Sequence, residues 1–121
     1  MLTYSHTMKT LFIDIDGTIL EHKGTFSDIS LKEASLLPGV RERMNEWCSK
    51  EYTIILTTAR RESLRSVTVG QLEKLGIPYD SLIMGISKGG RFIINDRRPN
   101  GNDTAFAINV DRDGGLAGVE L

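Results

Sequence analysis

Two aspartates stand two positions apart at the end of an apolar run, in the stretch LFIDIDGTIL at residues 11–20. Residues i and i+2 of a β-strand point to the same side, so Asp14 and Asp16 should converge if the strand extends that far. Like charges at that spacing repel each other unless a positive group lies between them. A hard cation with oxygen ligands would remove the repulsion, and Mg2+ with several waters is the usual choice.

Polar residues also end two later apolar runs. Thr57 and Thr58 end YTIILTT, and Asn95 and Asp96 end RFIIND. In open parallel sheets, ligands bind beyond the carboxyl ends of the strands. We therefore expect these side chains at one edge of a sheet with the aspartate pair, where Asp96 would supply a third carboxylate.

Carboxylates, hydroxyls and Mg2+ at one edge suit phosphoryl transfer. A carboxylate beside a phosphate can attack phosphorus in line and form an aspartyl phosphate. A second carboxylate can protonate the leaving group and then activate water. A threonine hydroxyl and a lysine can hold the phosphoryl oxygens, and Gly17 lets the backbone approach them closely.

The elements that must position these residues alternate between strands and helices. Apolar runs predict strands in TLFIDID, YTIILTT, SLIMG, RFIIND and TAFAINV. One helix is predicted after Pro38 and Gly39, with an apolar stripe of Val40, Met44, Trp47 and Cys48. A second is predicted after ARRE, with Leu64, Val67, Leu72 and Leu75 on one side and Gly76 as its stop. This alternation predicts an α/β fold, a Rossmann-like three-layer sandwich with a mostly parallel central sheet.

One connection is too short for this pattern. The six residues 85–90 cannot form a helical crossover between parallel strands, which takes about a dozen residues. SLIMG and RFIIND are therefore either antiparallel, or one of them is not a strand. The segment 19–30 is expected to form a small hairpin or flap, and NVDRDGG near the end a turn.

The bulk properties exclude several classes of protein. The chain of 121 residues is expected to be a single domain, and its net charge of −1 gives no electrostatic footprint for nucleic acid or an anionic membrane. No apolar stretch approaches the ~18 residues that span a bilayer, and the first ten residues are too polar for a signal peptide. The single Cys48 cannot form an intramolecular disulfide, which fits the cytoplasm.

The motifs DIDGT, IILTTAR and SKGGRFIIND resemble the four-motif pattern of the haloacid dehalogenase superfamily, over roughly residues 10 to 112. The chain looks most like its small phosphatases without a cap domain, which are associated with capsule or surface-polysaccharide biosynthesis. The resemblance implies that Asp14 is the nucleophile and a metal ligand. It implies that Asp16 is the general acid/base and binds metal through its carbonyl, that Thr58 binds phosphate, and that Asp96 completes the metal site.

The sequence departs from that pattern in two places. The expected lysine is Lys88, only eight positions before Asp96, so Lys88 is our choice for the phosphate-binding cation and Arg91 is its substitute. Asn95 stands where many relatives have an acidic residue, and its amide oxygen can still support the metal. The other residues expected to bind phosphate are Gly17, Thr18 and Ala59. Arg60 and Arg61 are expected at a solvated helix start rather than on a substrate.

These observations favour a cytoplasmic Mg2+-dependent phosphomonoesterase that acts on a small phosphorylated metabolite, such as a sugar phosphate, through an aspartyl phosphate. The alternatives are a catalytically silent module that binds phosphate ligands and, less favoured, a phospho-receiver domain. A receiver carries its acceptor aspartate at the end of a central strand, whereas the central strand here ends in LTTAR. A site without its own lid is either open to large substrates or closed by a neighbouring subunit, so a homo-oligomer is one of two expectations.

Overall fold

A parallel sheet flanked by helices forms the body of the protein. The computed structural model describes residues 8–25, 28–29 and 33–121, so parts of the expected flap (26–27 and 30) lie outside the described residues. Its elements in chain order are β1 (Thr10–Asp14), α1 (Val40–Ser49), β2 (Thr53–Thr57), a 3-10 turn (Glu62–Leu64), α2 (Arg65–Lys74) and β3 (Ser81–Ile83). The strands lie in the order β1-β2-β3, and both pairs are parallel. The predicted α/β fold with a parallel sheet is confirmed.

The register of the sheet aligns the carboxyl ends of its strands. Asp14 at the end of β1 lies opposite Thr57 at the end of β2, and Thr57 lies opposite Ile83 at the end of β3. Alternate strand residues such as Ile54 and Leu56 are almost fully buried, as expected for strands that form the core. The sheet therefore presents one edge on which residues following each strand can meet.

Helix α1 begins directly after Gly39, as the sequence predicts. Val40, Met44 and Trp47 are buried, but Cys48 is exposed, so its place in the apolar stripe is wrong. Cys48 lies one position, about 100° of helix rotation, beyond Trp47 and so turns away from the core. The helix ends with Glu51 at φ 61°, in the left-handed conformation that usually belongs to glycine at this position.

The apolar stripe predicted along α2 is confirmed in part. Leu64, Thr68 and Leu72 are buried at four-residue spacing, whereas Val67 and Leu75 are only partly buried. The helix stops as predicted at Gly76, whose φ is +67°. The Gly76 and Ile77 amides then donate to the carbonyls of Glu73 and Leu72, which satisfies the last turn of the helix.

The predicted strands in RFIIND and TAFAINV are wrong, because neither segment has regular structure. An apolar run predicts burial, but a strand also needs a neighbour for its backbone. Neither segment pairs with the described strands, so the apolar pattern is present without the ladder. Of the alternatives left by the short connection, RFIIND is the segment that is not a strand.

The start of the predicted flap belongs to the core. Ile19 and Leu20 are almost completely buried, and Leu20 forms an antiparallel bridge with Leu36. The pairing of Leu20 reaches Leu36, beyond the segment 19–30, so the expected hairpin or flap stays a prediction.

The carboxyl-terminal segment packs back onto the start of α1. The Leu116 amide donates to the Pro38 carbonyl at 2.9 Å, and the Arg43 guanidinium donates to the carbonyls of Leu116 and Ala117. Leu116 is buried in the core. None of the described helices is both long enough and apolar enough to cross a membrane.

Candidate active site

The loop that follows β1 is folded around one carbonyl. The Ile15 carbonyl accepts hydrogen bonds from the amides of Thr18, Ile19 and Leu20, and the Gly17 amide donates to the Leu20 carbonyl at 2.7 Å. Gly17 adopts φ +86°, which a side chain would strain. Because β1 ends at Asp14, Asp16 lies beyond the strand, and the two carboxylates have different partners.

Asp16 is held by a buried arginine. Arg60 Nε and Nη2 donate to the two carboxylate oxygens of Asp16 at 2.9 and 2.7 Å, a bidentate pair. Arg60 Nη1 donates to Thr68 Oγ1 at 3.0 Å and to Gln71 Oε1 at 2.7 Å. The Arg60 side chain is only 3% exposed, so the expectation that it is solvated is wrong, whereas Arg61 is exposed as expected. This network joins the loop after β1 to α2.

Thr58 closes the same network from β2. Its hydroxyl oxygen accepts the Arg60 backbone amide at 3.0 Å, and its own amide donates to the Ile83 carbonyl at 3.0 Å. Thr58 is 1% exposed. The threonine selected from the sequence is therefore at the carboxyl edge of the sheet, and it fixes the turn that sends Arg60 toward Asp16.

Asp14 is the more accessible carboxylate of the pair. Its side chain is 37% exposed and lies 3.6 Å from Arg91 Nη2. Burial raises the pKa of the Asp14 carboxyl above its ordinary value, the Arg91 charge opposes this rise, and the nearby Asp16 adds to it. Asp14 therefore meets solvent, a guanidinium and a second carboxylate at one point.

Arg91, rather than Lys88, is the cation that the structure brings to Asp14. Lys88 is exposed in a bend and makes no ion pair with the described residues. Asp96 and Asn95 are also exposed, and the Asp96 carbonyl accepts a hydrogen bond from Thr104 Oγ1 at 2.6 Å. The structure does not gather Asp96 with Asp14, and the metal roles of Asp96 and Asn95 stay predictions.

The carboxylates at this edge suit an Mg2+ ion held by one carboxylate and several waters better than one held by three carboxylates. Within residues 8–25, 28–29 and 33–121, no three His, Cys, Asp or Glu side chains are close enough to hold a metal together. Arg60 occupies both carboxylate oxygens of Asp16. Mg2+ usually keeps several waters and takes one or two carboxylates together with substrate phosphate oxygens. Asp14 suits such a site, and a cage of three carboxylates is not present.

The carboxyl-terminal turn contacts the same loop, which the sequence did not indicate. The Asp113 amide donates to the Gly17 carbonyl, and Asp113 Oδ1 accepts the His22 amide, both at 2.8 Å. A Cβ on Gly17 would lie 3.2 Å from Cγ of Arg112. NVDRDGG does form the predicted turn. Its contact with His22 joins residues more than 90 positions apart, and no local sequence pattern indicates a contact between residues so distant in the chain. By contrast, Arg60 follows β2 directly, so the rule that selected Thr58 could have selected it too.

A surface depression lies away from these residues. A depression of about 470 Å3 is lined by Thr53, Tyr79 and Asp80 among others, at the amino end of β2. Asp80 there accepts the Ile54 amide and donates its own amide to the Ile54 carbonyl, so this aspartate fixes the sheet. The candidate site residues Asp14 and Thr58 lie at the opposite, carboxyl edge of the sheet.

Comparison with known proteins identifies the fold. No family model and no curated protein sequence matches the chain. Among solved structures, a target protein from Vibrio cholerae is 22% identical, with 77% of this chain and 85% of that chain covered and a TM-score of 0.52. A chain of the Pnkp1/Rnl/Hen1 RNA repair complex is 26% identical over 70% of this chain and 28% of its own length, with a TM-score of 0.56.

A third similar structure is the D,D-heptose 1,7-bisphosphate phosphatase from B. bronchiseptica, complexed with magnesium and phosphate. It is 22% identical, with 64% of this chain and 49% of that chain covered and a TM-score of 0.50. The chain thus spans less than a third of the repair-complex chain and about half of the phosphatase. Together with the parallel sheet, these likenesses show a Rossmann-like α/β fold.

Proposed function

We propose that this chain is a Mg2+-dependent phosphomonoesterase that hydrolyses a small phosphorylated metabolite through an aspartyl phosphate on Asp14. The observation that carries the proposal is the division of roles between the two carboxylates. Asp16 is fixed by Arg60, whereas Asp14 is partly exposed beside Arg91 at the carboxyl end of β1. An accessible carboxylate next to a cation is what in-line attack on a phosphoryl group needs.

Two further observations support the reaction class. The heptose bisphosphate phosphatase that shares the fold was crystallised with magnesium and phosphate, so the fold accommodates both. A net charge of −1 favours a small substrate over a nucleic acid. A sugar phosphate satisfies both conditions.

The residues would share the reaction as follows. An Asp14 oxygen attacks phosphorus, and the bond from phosphorus to the leaving oxygen breaks. Arg91 holds phosphoryl oxygens as their charge redistributes. When bound, Mg2+ would neutralise the phosphate charge. Water then cleaves the aspartyl phosphate and regenerates Asp14.

Asp16 would donate the proton to the leaving oxygen and later accept one from water. Both of its carboxylate oxygens accept hydrogen bonds from Arg60. Proton transfer by Asp16 therefore requires that one of these bonds be exchanged for a bond to the substrate. This bidentate pair of Arg60 and Asp16, which we call the clamp, favours the second candidate, a silent module that binds phosphate ligands without turnover.

Phosphate release from a panel of sugar phosphates, nucleotides and p-nitrophenyl phosphate tests the proposal. The panel is run with Mg2+ and with EDTA, on the wild type, on Asp14→Asn and on Glu73→Gln, which changes an exposed carboxylate on α2. We expect turnover that needs Mg2+, a loss of about 10^4-fold in Asp14→Asn and no loss in the control. Folded wild type that binds phosphate by calorimetry but turns over no compound would instead establish the binding module.

A further inference from the structure

The guanidinium of Arg60 is shared between two groups of acceptors. Its Nε and Nη2 atoms hold Asp16 in the clamp, and its Nη1 atom donates to Thr68 Oγ1 at 3.0 Å and to Gln71 Oε1 at 2.7 Å. Thr68 and Gln71 stand three positions apart on α2, so their acceptor atoms lie on the same face of that helix. The buried arginine is therefore held by the loop after β1 on one edge and by α2 on another.

The side-chain amide of Gln71 is oriented by a second contact. Its Nε2 donates to the Ile29 backbone carbonyl at 3.0 Å. A carbonyl only accepts hydrogen bonds, so this contact holds the amide nitrogen toward Ile29 and the amide oxygen toward Arg60. The bond from Arg60 to that oxygen is at the short end for a nitrogen donor, as expected when the donor is charged. Gln71 is thus a fixed acceptor for Arg60.

Asp16 and α2 compete for the same guanidinium. A guanidinium is planar and holds its five donors in a fixed fork, so it cannot bend to improve its bonds to one partner. A shift of Arg60 toward α2 weakens its bonds to Asp16, and a shift toward Asp16 weakens those to α2. The Arg60 side chain is 3% exposed, so water is a poor substitute for a lost acceptor. The ease with which Asp16 leaves the clamp therefore depends on how well α2 alone can hold Arg60.

Asp16 has to leave at least one of these bonds to act on a substrate. In the proposed reaction it gives a proton to the leaving oxygen, and both of its carboxylate oxygens are bonded to Arg60 in the free protein. The Asp16 side chain is 19% exposed and so can turn to a substrate, whereas Arg60 stays buried. When Asp16 turns away, the acceptors left to Arg60 are those of Thr68 and Gln71 on α2.

We propose that Gln71 is a positioning residue that sets how readily Arg60 releases Asp16, and hence how effectively Asp16 protonates the leaving oxygen. The role in catalysis rests on the proposed function, whereas the release itself rests on the hydrogen bonds of the clamp and of α2 alone. Thr68 is the weaker of the two acceptors on α2, because its bond to Arg60 is 3.0 Å long and that of Gln71 is 2.7 Å long.

Two substitutions of Gln71 that keep most of its volume should act in opposite directions. In Gln71→Glu the acceptor becomes a carboxylate, which binds Arg60 more strongly and repels Asp16, so Asp16 should be released more readily. In Gln71→Met the acceptor is lost, so Arg60 would keep only one partner on α2, and release should become harder. Both variants lose the bond to Ile29, so the effect of that loss cancels when they are compared.

Leaving groups of different quality report the release in an active enzyme. A sugar alkoxide needs a proton as it departs, whereas p-nitrophenolate departs readily without one. The ratio of kcat/KM for a sugar phosphate to kcat/KM for p-nitrophenyl phosphate should rise about tenfold in Gln71→Glu and fall about tenfold in Gln71→Met. Asn45→Asp makes the same amide-to-carboxylate change at an exposed site on α1 and should leave the ratio unchanged. A merely structural role would lower both rates together and leave the ratio unchanged in all three variants, which would overturn the proposal.

Hydrogen exchange at the Arg60 Nε–H group measures the release without any substrate. This proton is bonded to Asp16, and its signal in a proton–nitrogen correlation spectrum is the one missing from Arg60→Met. Its exchange with solvent requires that the clamp open, so it should be about tenfold faster in folded Gln71→Glu and about tenfold slower in folded Gln71→Met than in wild type.

The exchange rates separate failure of this proposal from failure of the proposed function. Rates that change in the same direction in both variants of Gln71, or in neither, would refute the competition for Arg60. If the two rates change in opposite directions as expected but no compound is turned over, the competition stands and the proposed function alone fails.

Discussion

Replacing Arg60 by methionine is expected to destabilise the protein more than any other single change of an arginine at the site. The guanidinium makes four hydrogen bonds, two to Asp16 and one each to Thr68 and Gln71, and its side chain is 3% exposed. Methionine keeps most of the volume but none of the donors. Asp16 would then keep its charge without a partner.

The magnitude follows from the burial of the two partners. Removing one member of a buried ion pair costs about 3–5 kcal/mol. The Asp16 side chain is 19% exposed, so water can solvate part of the orphaned carboxylate, and we place the loss near the lower end, about 3 kcal/mol. For a chain of this length, that corresponds to a fall of roughly 10 °C in Tm.

Urea unfolding followed by circular dichroism measures this loss, with Arg61→Met as the control because Arg61 is an exposed neighbour. The control should stay within about 0.5 kcal/mol of wild type. Adding Asp16→Asn to Arg60→Met should recover part of the loss, because the unpaired charge disappears. If Arg60→Met and Arg61→Met unfold at the same urea concentration, the buried clamp does not exist.

Three further substitutions test the backbone and the charge at Asp14. Gly115→Ala should lower the free energy of unfolding by at least about 2 kcal/mol, because Gly115 has φ +82° and a Cβ there would overlap the Pro38 carbonyl oxygen. The control Gly118→Ala, whose Cβ would meet no atom, should leave stability unchanged in the same urea assay. Glu51→Gly should gain about 0.5–1 kcal/mol, since φ is 61° there, and unchanged stability would contradict the strain. Burial raises the pKa of Asp14 in the folded protein above its value in the unfolded chain. The protonated carboxyl therefore stabilises the fold fully below the unfolded-state pKa, and this stabilisation is lost as the pH rises through the folded-state pKa. In EDTA, Asp14→Asn should therefore be more stable than wild type at pH 7 and should lose that advantage near pH 3. A variant less stable than wild type at pH 7 would show that the pKa of Asp14 is not raised in the folded protein.

Local patterns predicted most of the body. The apolar run that ends at Asp14, the helix after Gly39 and the stop at Gly76 all depend on residues a few positions apart, where periodicity and glycine conformation act directly. The same patterns failed at RFIIND. Hydrophobicity there indicates a buried strand, but whether a strand forms depends on a partner that the run itself does not specify.

The sequence by itself determined that carboxylates and hydroxyls stand at the ends of apolar strands, because the order of residues decides where each strand stops. The tertiary structure decided that the two aspartates have different partners, with Asp16 held by Arg60 and Asp14 placed beside Arg91. It also brought Asp113 to the loop of Gly17. These contacts join residues 44 to 96 positions apart, and only the packing of strands and helices brings such residues together.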